Sequence, residues 1–302
     1  VKVFPSQFWV QFSSTYNFQM AWKYGCVSAL IPMITLFAFR GRTIAWPWES
    51  QGLASNVFLE RIGYIIRHFS AVLFGFMIIV SLLLPLSHLL LNGRTWFDFL
   101  DAIQAGSRSI FNSFWFAFLT ATMVTILGAL TSSRKEFRLT WLFLFLPGVL
   151  LGVICICIFN RPSLDWFYGG SCMVITALGL RYFAFGWEGM REVKNSIDAD
   201  LVSATDLFGL PWWERWRHLL QPQAGWAIIA VWYVIYLLCL WDTETIVLIV
   251  PPGGETLALR IFNLLHYGHH AQVNSLCLIL LLLALLPLLL GFVVRLLIKK
   301  WI

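Results

Sequence analysis

Hydrophobic residues follow one another in long runs along most of this chain, and shorter polar stretches separate the runs. The run from Leu276 to Leu297 exceeds the roughly 20 residues that an α-helix needs to cross the hydrocarbon core of a bilayer. Transmembrane strands would instead alternate apolar and polar positions over about ten residues, which these runs do not do. The pattern predicts seven membrane-spanning helices, over residues 22–39, 69–91, 109–131, 139–159, 167–187, 224–248 and 273–297.

The composition is also that of a membrane protein. Hydrophobic residues make up 59% of the 302 positions and charged residues only 12%, whereas a soluble domain has roughly 25% charged residues. We therefore predict an all-α fold, a polytopic bundle of transmembrane helices. The formal net charge of +6 does not indicate nucleic acid as a partner, because basic residues in a membrane protein mark its cytoplasmic side.

The basic residues are divided unevenly between the two sets of connecting loops. Fourteen of the 21 Lys and Arg residues fall in the segments 40–68, 132–138 and 188–223 and at the C-terminal end, and these segments alternate with loops that hold few. Under the positive-inside rule they lie in the cytoplasm, and the C-terminus lies there with them.

The stretch Ser196–Gln223, here called the polar island, interrupts this apolar pattern. Ser196 or Asp198 is suited to cap a helix, because a short oxygen-bearing side chain accepts hydrogen bonds from free N–H groups. Gly209 is a natural helix end, since glycine adopts the left-handed conformation without strain. Pro211 suits the first position of a second helix, where its missing N–H does no harm. The sequence predicts two short helices joined by a bend.

Each of these two helices has an apolar side. On the first it consists of Leu201, Ala204, Thr205 and Phe208, and on the second of Trp212, Trp213, Trp216, Leu219 and Leu220. Pro222 is expected to stop the second helix before the next span. Two interpretations remain open on composition alone: an amphipathic hairpin that rests on the lipid surface, or a docking site for a cytoplasmic partner.

The island resembles the cytoplasmic loop of ABC importer permeases of the binding-protein-dependent type. In that family the loop carries Glu-Ala-Ala, three residues, Gly, nine residues, an apolar residue, one residue, and Leu-Pro. The matching positions here are Ser203-Ala204-Thr205, Gly209, Leu219 and Gln221-Pro222. Ser203, Thr205 and Gln221 depart from the family's residues, and the missing acidic side chain removes a salt bridge or cap from the loop.

The resemblance implies a role for ten residues of the island in coupling to an ATPase. They are Ser203, Ala204, Thr205, Gly209, Leu210, Pro211, Trp212, Trp213, Trp216 and Pro222. Three other stretches, Phe145–Pro162 with its Pro-Gly pair, Leu178–Val193 and Asp242–Gly268, resemble the iron(III)-type branch of the family. That branch implies ferric iron as the first expectation for the solute, with thiamine, a polyamine or an oxyanion behind it.

The resemblance also implies the organisation of the chain. Residues 68–302 would form one six-span permease unit, with the coupling loop at 188–223 and a cytoplasmic linker at 46–67. A weak similarity at constant offset between the N-terminal stretch and the last span suggests that residues 1–45 are the last span of a preceding unit, or else an extra N-terminal span.

The resemblance implies a transport protein of the bacterial-type inner membrane and not an enzyme. Its partners would be a cytoplasmic ABC ATPase dimer, an extracytoplasmic solute-binding protein, a second permease unit on the same or a sister chain, and membrane lipid. The chain carries no Gly-Lys-Ser/Thr phosphate loop, so ATP is expected on the partner subunits and no cofactor on this chain.

A few polar residues lie outside the island. Asp242 and Glu244, at the predicted outer end of a span, either draw in a cation or form a solvated span end. Arg181 is expected near the cytoplasmic end of its span, where snorkelling explains its charge. His266, His269 and His270 are expected to be interfacial polar residues and not a metal site, because no carboxylate or thiolate completes a ligand set.

Two other functions stay open from the sequence. The altered motif residues Ser203 and Thr205 are compatible with a degenerate permease unit that serves as a structural or assembly subunit. A polytopic membrane transferase is the other alternative, although it would need clustered carboxylates or His residues at one membrane face. The acidic residues of this chain are instead dispersed along the sequence.

Overall fold

The computed structural model describes residues 63–133, 140–209, 211–215, 217–218, 221–268 and 270–301, together with scattered helical positions between residues 20 and 38. All regular secondary structure in these residues is helical, and none of it is a strand. The predicted all-α fold is confirmed. The predicted span 22–39 falls mostly outside the described residues, as do the proposed unit 1–45 and the linker 46–67.

The first helix, α1, covers Tyr64–Leu91 and is strongly apolar. Its central residues, Ile79–Leu83, form a π-helical turn. Pro85 follows this turn, and because proline has no N–H, the carbonyl group four residues before it has no partner in a regular helix. The wider π-turn adapts the helix to that proline. No residue of α1 is buried by the described part of the bundle, so its apolar sides are available to lipid or to another chain.

A long helix and several short ones follow. Their bounds are Gly93–Phe97 for α2, Phe99–Thr131 for α3, Trp141–Phe145 for α4, Gly148–Phe159 for α5 and Asp165–Tyr168 for α6. Leu146 and Pro147 have extended backbone and separate α4 from α5. A turn of 3-10 helix at Pro162–Leu164 precedes α6, and the chain bends by 104° between α5 and this segment.

The second half of the chain contains the polar island and the last spans. The bounds are Ser171–Asn195 for α7, Ala199–Leu207 for α8, Trp212–Arg215 for α9, Gln221–Trp241 for α10, Leu257–His266 for α11 and His270–Trp301 for α12. Residues 242–256 form turns and extended stretches between α10 and α11. The Thr256 side chain caps α11 by accepting a hydrogen bond from the Leu259 N–H at 3.4 Å.

The core lies where α3, α7, α10 and α12 pack together. Helices α3 and α7 approach each other closely at Gly128 and Gly186. A Cβ atom on Gly128 would lie 2.5 Å from the Gly186 carbonyl oxygen, and a Cβ on Gly186 would lie 2.8 Å from the Val124 carbonyl oxygen. Only glycine fits at both positions, and such contacts between small residues are a common basis for helix association in membranes.

The described residues contain four helices that are long and apolar enough to cross a membrane, or five if the bent segment Gly148–Tyr168 is one span. The sequence predicted six spans in this part of the chain. The remaining predicted span corresponds to α7. This helix is long enough to cross a membrane, but it carries Arg181 and further charged residues towards its end. A helix enclosed by other helices does not need the hydrophobicity of one that faces lipid.

Several predicted boundaries are wrong by more than a helical turn. The span predicted at 224–248 ends at Trp241, because the chain turns there instead of continuing as a helix. The span predicted at 109–131 begins ten residues earlier, at Phe99. The span predicted at 167–187 covers Ser171–Asn195, so polar residues expected in a loop belong to the helix.

Candidate functional site

Arg181 lies in the middle of α7, ten residues after its first residue and fourteen before its last. The guanidinium does not reach out of the bundle. Its Nη1 is 3.5 Å from the Asp242 carboxylate and donates a hydrogen bond to Thr245 Oγ1 at 2.6 Å. Its Nη2 donates to Glu244 Oε2 at 3.2 Å. The prediction that Arg181 snorkels at the cytoplasmic end of its span is therefore wrong, because carboxylates compensate its charge inside the protein.

Asp242, the first residue after α10, is the centre of this network. Its side chain is only 2% exposed. Tyr182 Oη and Thr245 Oγ1 each donate to its Oδ2 at 2.8 Å, and the Thr245 N–H donates to its Oδ1 at 2.8 Å. The expectation of a solvated span end is wrong for Asp242, whose charge is buried and saturated with donors.

Glu244 lies at the edge of the same network, with a side chain that is 51% exposed. Its Oε2 accepts hydrogen bonds from Arg181 and, at 3.3 Å, from the Gly148 N–H at the start of α5. A Cβ atom on Gly148 would overlap Arg181 Nη1 and would lie 2.7 Å from the Glu244 Cβ. Glycine after Pro147 therefore allows the helix start to approach the charged side chains directly.

An open cavity of ≈ 470 Å³ lies beside this cluster. Its walls come from the middle of α7, the last part of α10 and the residues that follow α10. The lining residues are Arg181, Tyr182, Leu237, Leu238, Trp241, Asp242, Thr243 and Glu244. Both sequence-predicted solute-path residues, Asp242 and Glu244, line this cavity.

Sequence reasoning missed Tyr182, Thr245 and Gly148 as parts of the site. The Pro-Gly pair at 147–148 is visible in the sequence only as a point of family resemblance. Arg181 and the Asp242–Thr245 segment are far apart in the sequence. In the structure, the first residue of α5, Gly148, lies against both of them. One available signal was the coincidence of a mid-span arginine with two acidic residues at the end of another apolar run.

The polar island has the predicted form of two short helices with a bend. Asp198 caps α8, and its Oδ1 accepts a hydrogen bond from the Asp200 N–H at 2.9 Å, as the sequence predicted. Ser196 is not the cap, because its hydroxyl donates to the Val193 carbonyl. Gly209 follows α8 with a φ of 62°, which confirms the predicted left-handed bend.

The second helix differs in detail from the prediction. Pro211 precedes α9 instead of starting it, and its carbonyl accepts the first hydrogen bond, from the Arg215 N–H at 3.1 Å. Pro222 lies in the first turn of α10, so it begins the next span. Leu210 and Trp216 lie outside the described residues, as do the side chains of Ala204 and Trp212. The predicted tryptophan face of this helix stays a prediction.

The base of the island is fixed to the two helices that flank it. Met190 and Val193 near the end of α7 pack with Ala224 near the start of α10 and bury one another. Ile197 packs against this cluster. In addition, the Asp198 N–H donates to Gln223 Oε1 at 3.4 Å. The base of the island is therefore attached to both α7 and α10.

The tip of the island exposes apolar side chains. Leu207 is 88% and Phe208 80% exposed, and Trp213 is also more than half exposed. Ser203 is exposed and Thr205 is partly buried. The island and the cavity are at opposite ends of α10, about 30 Å apart along its 21 residues.

In the part of the chain that the structure describes, no three His, Cys, Asp or Glu side chains come together in a way that suits a metal ion. The His266 Nδ1–H donates a hydrogen bond to the Phe262 carbonyl oxygen at 2.9 Å, and the imidazole packs on the Phe262 ring. His269 lies outside the described residues.

No protein-family model matches this chain, but comparison of its sequence with curated proteins finds transport permeases. The chain is 25% identical over 199 residues to the proposed 2-aminoethylphosphonate transport system permease protein PhnV of Salmonella paratyphi A, covering 65% of this chain and 73% of that protein. The PhnV protein of Salmonella typhi is 26% identical over 204 residues, covering 65% and 74%. The spermidine/putrescine transport system permease protein PotC of Haemophilus influenzae is 22% identical over 200 residues, covering 63% and 77%.

These relatives are permease subunits of transport systems and not enzymes, which agrees with the role expected from the island. Together with the apolar helices they support a multi-pass membrane permease. They do not support the iron(III)-type branch or ferric iron as the solute, because their names refer to a phosphonate and to polyamines.

Proposed function

We propose that this chain is a permease subunit of an ATP-driven importer in a bacterial inner membrane. The observation that carries the proposal is the similarity to PhnV and PotC over about two thirds of the chain. The helical bundle with its polar island at 196–223 fits that role. The chain would form part of the solute path and bind no ATP itself.

The polar island is the proposed contact with the cytoplasmic ATPase dimer. A coupling element must be stiff, so that movement of the motor is transmitted and not absorbed. The cap at Asp198, the bend at Gly209 and the apolar cluster around Met190 supply that stiffness. The exposed Leu207 and Phe208 side chains supply contact area of the apolar kind that protein interfaces bury.

The other proposed partners follow from the same mode of transport. An extracytoplasmic solute-binding protein would deliver the solute to the opposite face, and a second permease unit would complete the path. The strongly apolar α1, which the described part of the bundle leaves uncovered, offers one surface for lipid or for that second unit. In this arrangement the island and the C-terminus lie in the cytoplasm, as the basic residues indicate.

The proposed solute is a small organic molecule that carries an amino group. The solutes in the names of PhnV and PotC, 2-aminoethylphosphonate, spermidine and putrescine, share that group. A phosphonate group occurs in only one of these two systems.

A direct test is to isolate the tagged full-length chain from its native membrane and identify co-purifying proteins by mass spectrometry. We expect an ABC-type ATPase in stoichiometric amount. The isolated complex, reconstituted into proteoliposomes with its solute-binding protein, should then accumulate a labelled amine such as putrescine or 2-aminoethylphosphonate only when ATP is supplied. A preparation without any ATPase would contradict the proposal.

A degenerate permease-like structural or assembly subunit is the second candidate. It is favoured by Ser203 and Thr205, which replace the Glu and Ala of the family's loop. The same preparation distinguishes the two, because a degenerate subunit would co-purify with the ATPase but show no ATP-driven uptake. The transferase alternative has no support from the relatives, which are permeases.

A further inference from the structure

Acidic side chains outnumber basic ones in the cavity beside α7 and α10. Two carboxylates, those of Asp242 and Glu244, face the single guanidinium of Arg181. All three side chains line the cavity. In surroundings of low dielectric constant such an imbalance attracts a counter-charge more strongly than it would in water.

Asp242 and Arg181 compensate each other. Both oxygens of Asp242 accept hydrogen bonds from Tyr182 and Thr245, and its Oδ2 is 3.5 Å from Arg181 Nη1. With a side chain only 2% exposed, Asp242 has no surface left for a ligand. The negative charge that remains uncompensated is therefore that of Glu244.

Arg181 is not available to an anion. Its Nη1 and Nη2 are directed at Thr245, Asp242 and Glu244, and its Nε is buried. The side chain is only 16% exposed. A phosphonate or carboxylate that entered the cavity would have to displace a protein carboxylate before it could bind the guanidinium, so the cavity disfavours anions.

Glu244 is placed for a cation. Its Oε2 is occupied by Arg181 and Gly148, whereas its Oε1 accepts no hydrogen bond from any residue that the structure describes. The side chain is half exposed on the cavity. Trp241 lines the same cavity, and an indole ring attracts an organic cation through its π-face.

We propose that Glu244 binds the ammonium group of the transported solute in this cavity, with Trp241 against its alkyl part. This inference rests on the proposed function and identifies the residue that would select an organic amine within the path. Arg181, which is itself paired with Asp242, and the Gly148 N–H hold the Glu244 carboxylate in position through Oε2, which leaves Oε1 for the solute.

The test is isothermal titration of the full chain in lipid nanodiscs with putrescine, and with succinate as a dicarboxylate of the same chain length. The wild type should bind putrescine and not succinate. Glu244→Gln keeps the size of the side chain but removes its charge and should weaken putrescine binding about tenfold or more. Glu244→Asp should retain part of the affinity. Glu255→Gln is the matched control, because Glu255 pairs with Arg260 outside the cavity and its variant should bind like the wild type.

The inference is overturned if the wild type binds no putrescine, if Glu244→Gln binds it as well as the wild type does, or if succinate binds more tightly than putrescine. Size-exclusion chromatography shows whether Glu244→Gln is folded. If it is not, Glu244→Asp tests the role of the carboxylate in a protein that keeps the charge. Co-purification of the ATPase is scored on the same preparations. A chain that binds ATPase but no amine contradicts only this inference, whereas a chain without ATPase contradicts the proposed function.

Discussion

Arg181 and Asp242 form an ion pair, with Nη1 and Oδ2 3.5 Å apart, that joins the middle of α7 to the end of α10. Both helices also flank the polar island, α7 on its N-terminal side and α10 on its C-terminal side. The same two helices therefore hold the charged cavity at one level and the proposed coupling element at another. A change in the angle between them would alter both regions at once.

Removal of the guanidinium should destabilise the protein strongly. In Arg181→Leu the carboxylates of Asp242 and Glu244 lose their compensating charge, and loss of one partner of a buried ion pair costs about 3–5 kcal/mol. We expect a large decrease in the thermal unfolding temperature in detergent. This temperature is measured by fluorescence-detected size-exclusion chromatography of heated samples.

Arg191→Ala is the matched control for that variant. Arg191 pairs with Glu188 on the same helix, and a partly exposed pair of this kind contributes about 0–1 kcal/mol. If both variants unfold at the wild-type temperature, the Arg181 cluster is not a structural element of the bundle.

A methyl group on Gly148 should disturb the cavity. Its Cβ would overlap Arg181 and crowd Glu244, so the start of α5 must move away from the end of α10 in Gly148→Ala. Overpacking of this kind costs about 1–3 kcal/mol. The measurement is the unfolding temperature together with putrescine affinity, and both should fall. In Gly75→Ala, where a Cβ meets no atom within 4 Å, neither should change.

The crossing of α3 and α7 should also not tolerate an added methyl group. Gly128→Ala places a methyl group 2.5 Å from the Gly186 carbonyl oxygen, and because the obstacle is backbone the helices must separate. We expect a lower yield of folded protein and a loss of about 1–3 kcal/mol in stability. Gly291→Ala is its control, since that position of α12 has open space for a Cβ. Equal unfolding temperatures for the two variants would show that the helices do not approach as closely as described.

The bend of the island should be sensitive to backbone conformation alone. Gly209 has a φ of 62° and open space for a Cβ, so Gly209→Val acts only through strain in the left-handed region. We expect retained folding and ATP hydrolysis that no longer drives uptake in proteoliposomes. Gly225→Ala, in the regular helix α10, should leave uptake intact. Normal uptake by Gly209→Val would argue against the island as a coupling element.

Local chemistry explains which features the sequence could predict. The apolar runs indicate the spans because only helices or closed barrels satisfy the backbone polar groups inside a bilayer. The cap and the bend were predictable because they depend on neighbouring residues alone: the Asp198 side chain accepts from the backbone N–H two residues later, and Gly209 adopts a positive φ. The ends of the helices were harder to predict. Helix α10 ends at Trp241 because hydrogen bonds between Asp242 and Thr245 turn the chain back, and the sequence pattern does not display them.

The interpretation of Arg181 failed for a different reason. Snorkelling depends on where a residue lies along its helix, and the predicted span ended at residue 187, well before the end of the helix at Asn195. The partners of Arg181 come from a distant part of the sequence, and the glycine that admits them lies on a third helix. Such a contact follows from helix packing, which a single sequence does not display.

The polar island is the proposed contact of this chain with a cytoplasmic ATPase. The most direct test is a photo-crosslinking amino acid in place of Leu207, at the tip of the island, in cells that contain the native transporter. Phe97, which is similarly exposed on α2, is the control position. We predict an ATP-sensitive adduct with the ATPase from position 207 and none from position 97. Adducts only with lipid or with an extracytoplasmic protein from position 207 would contradict the claim.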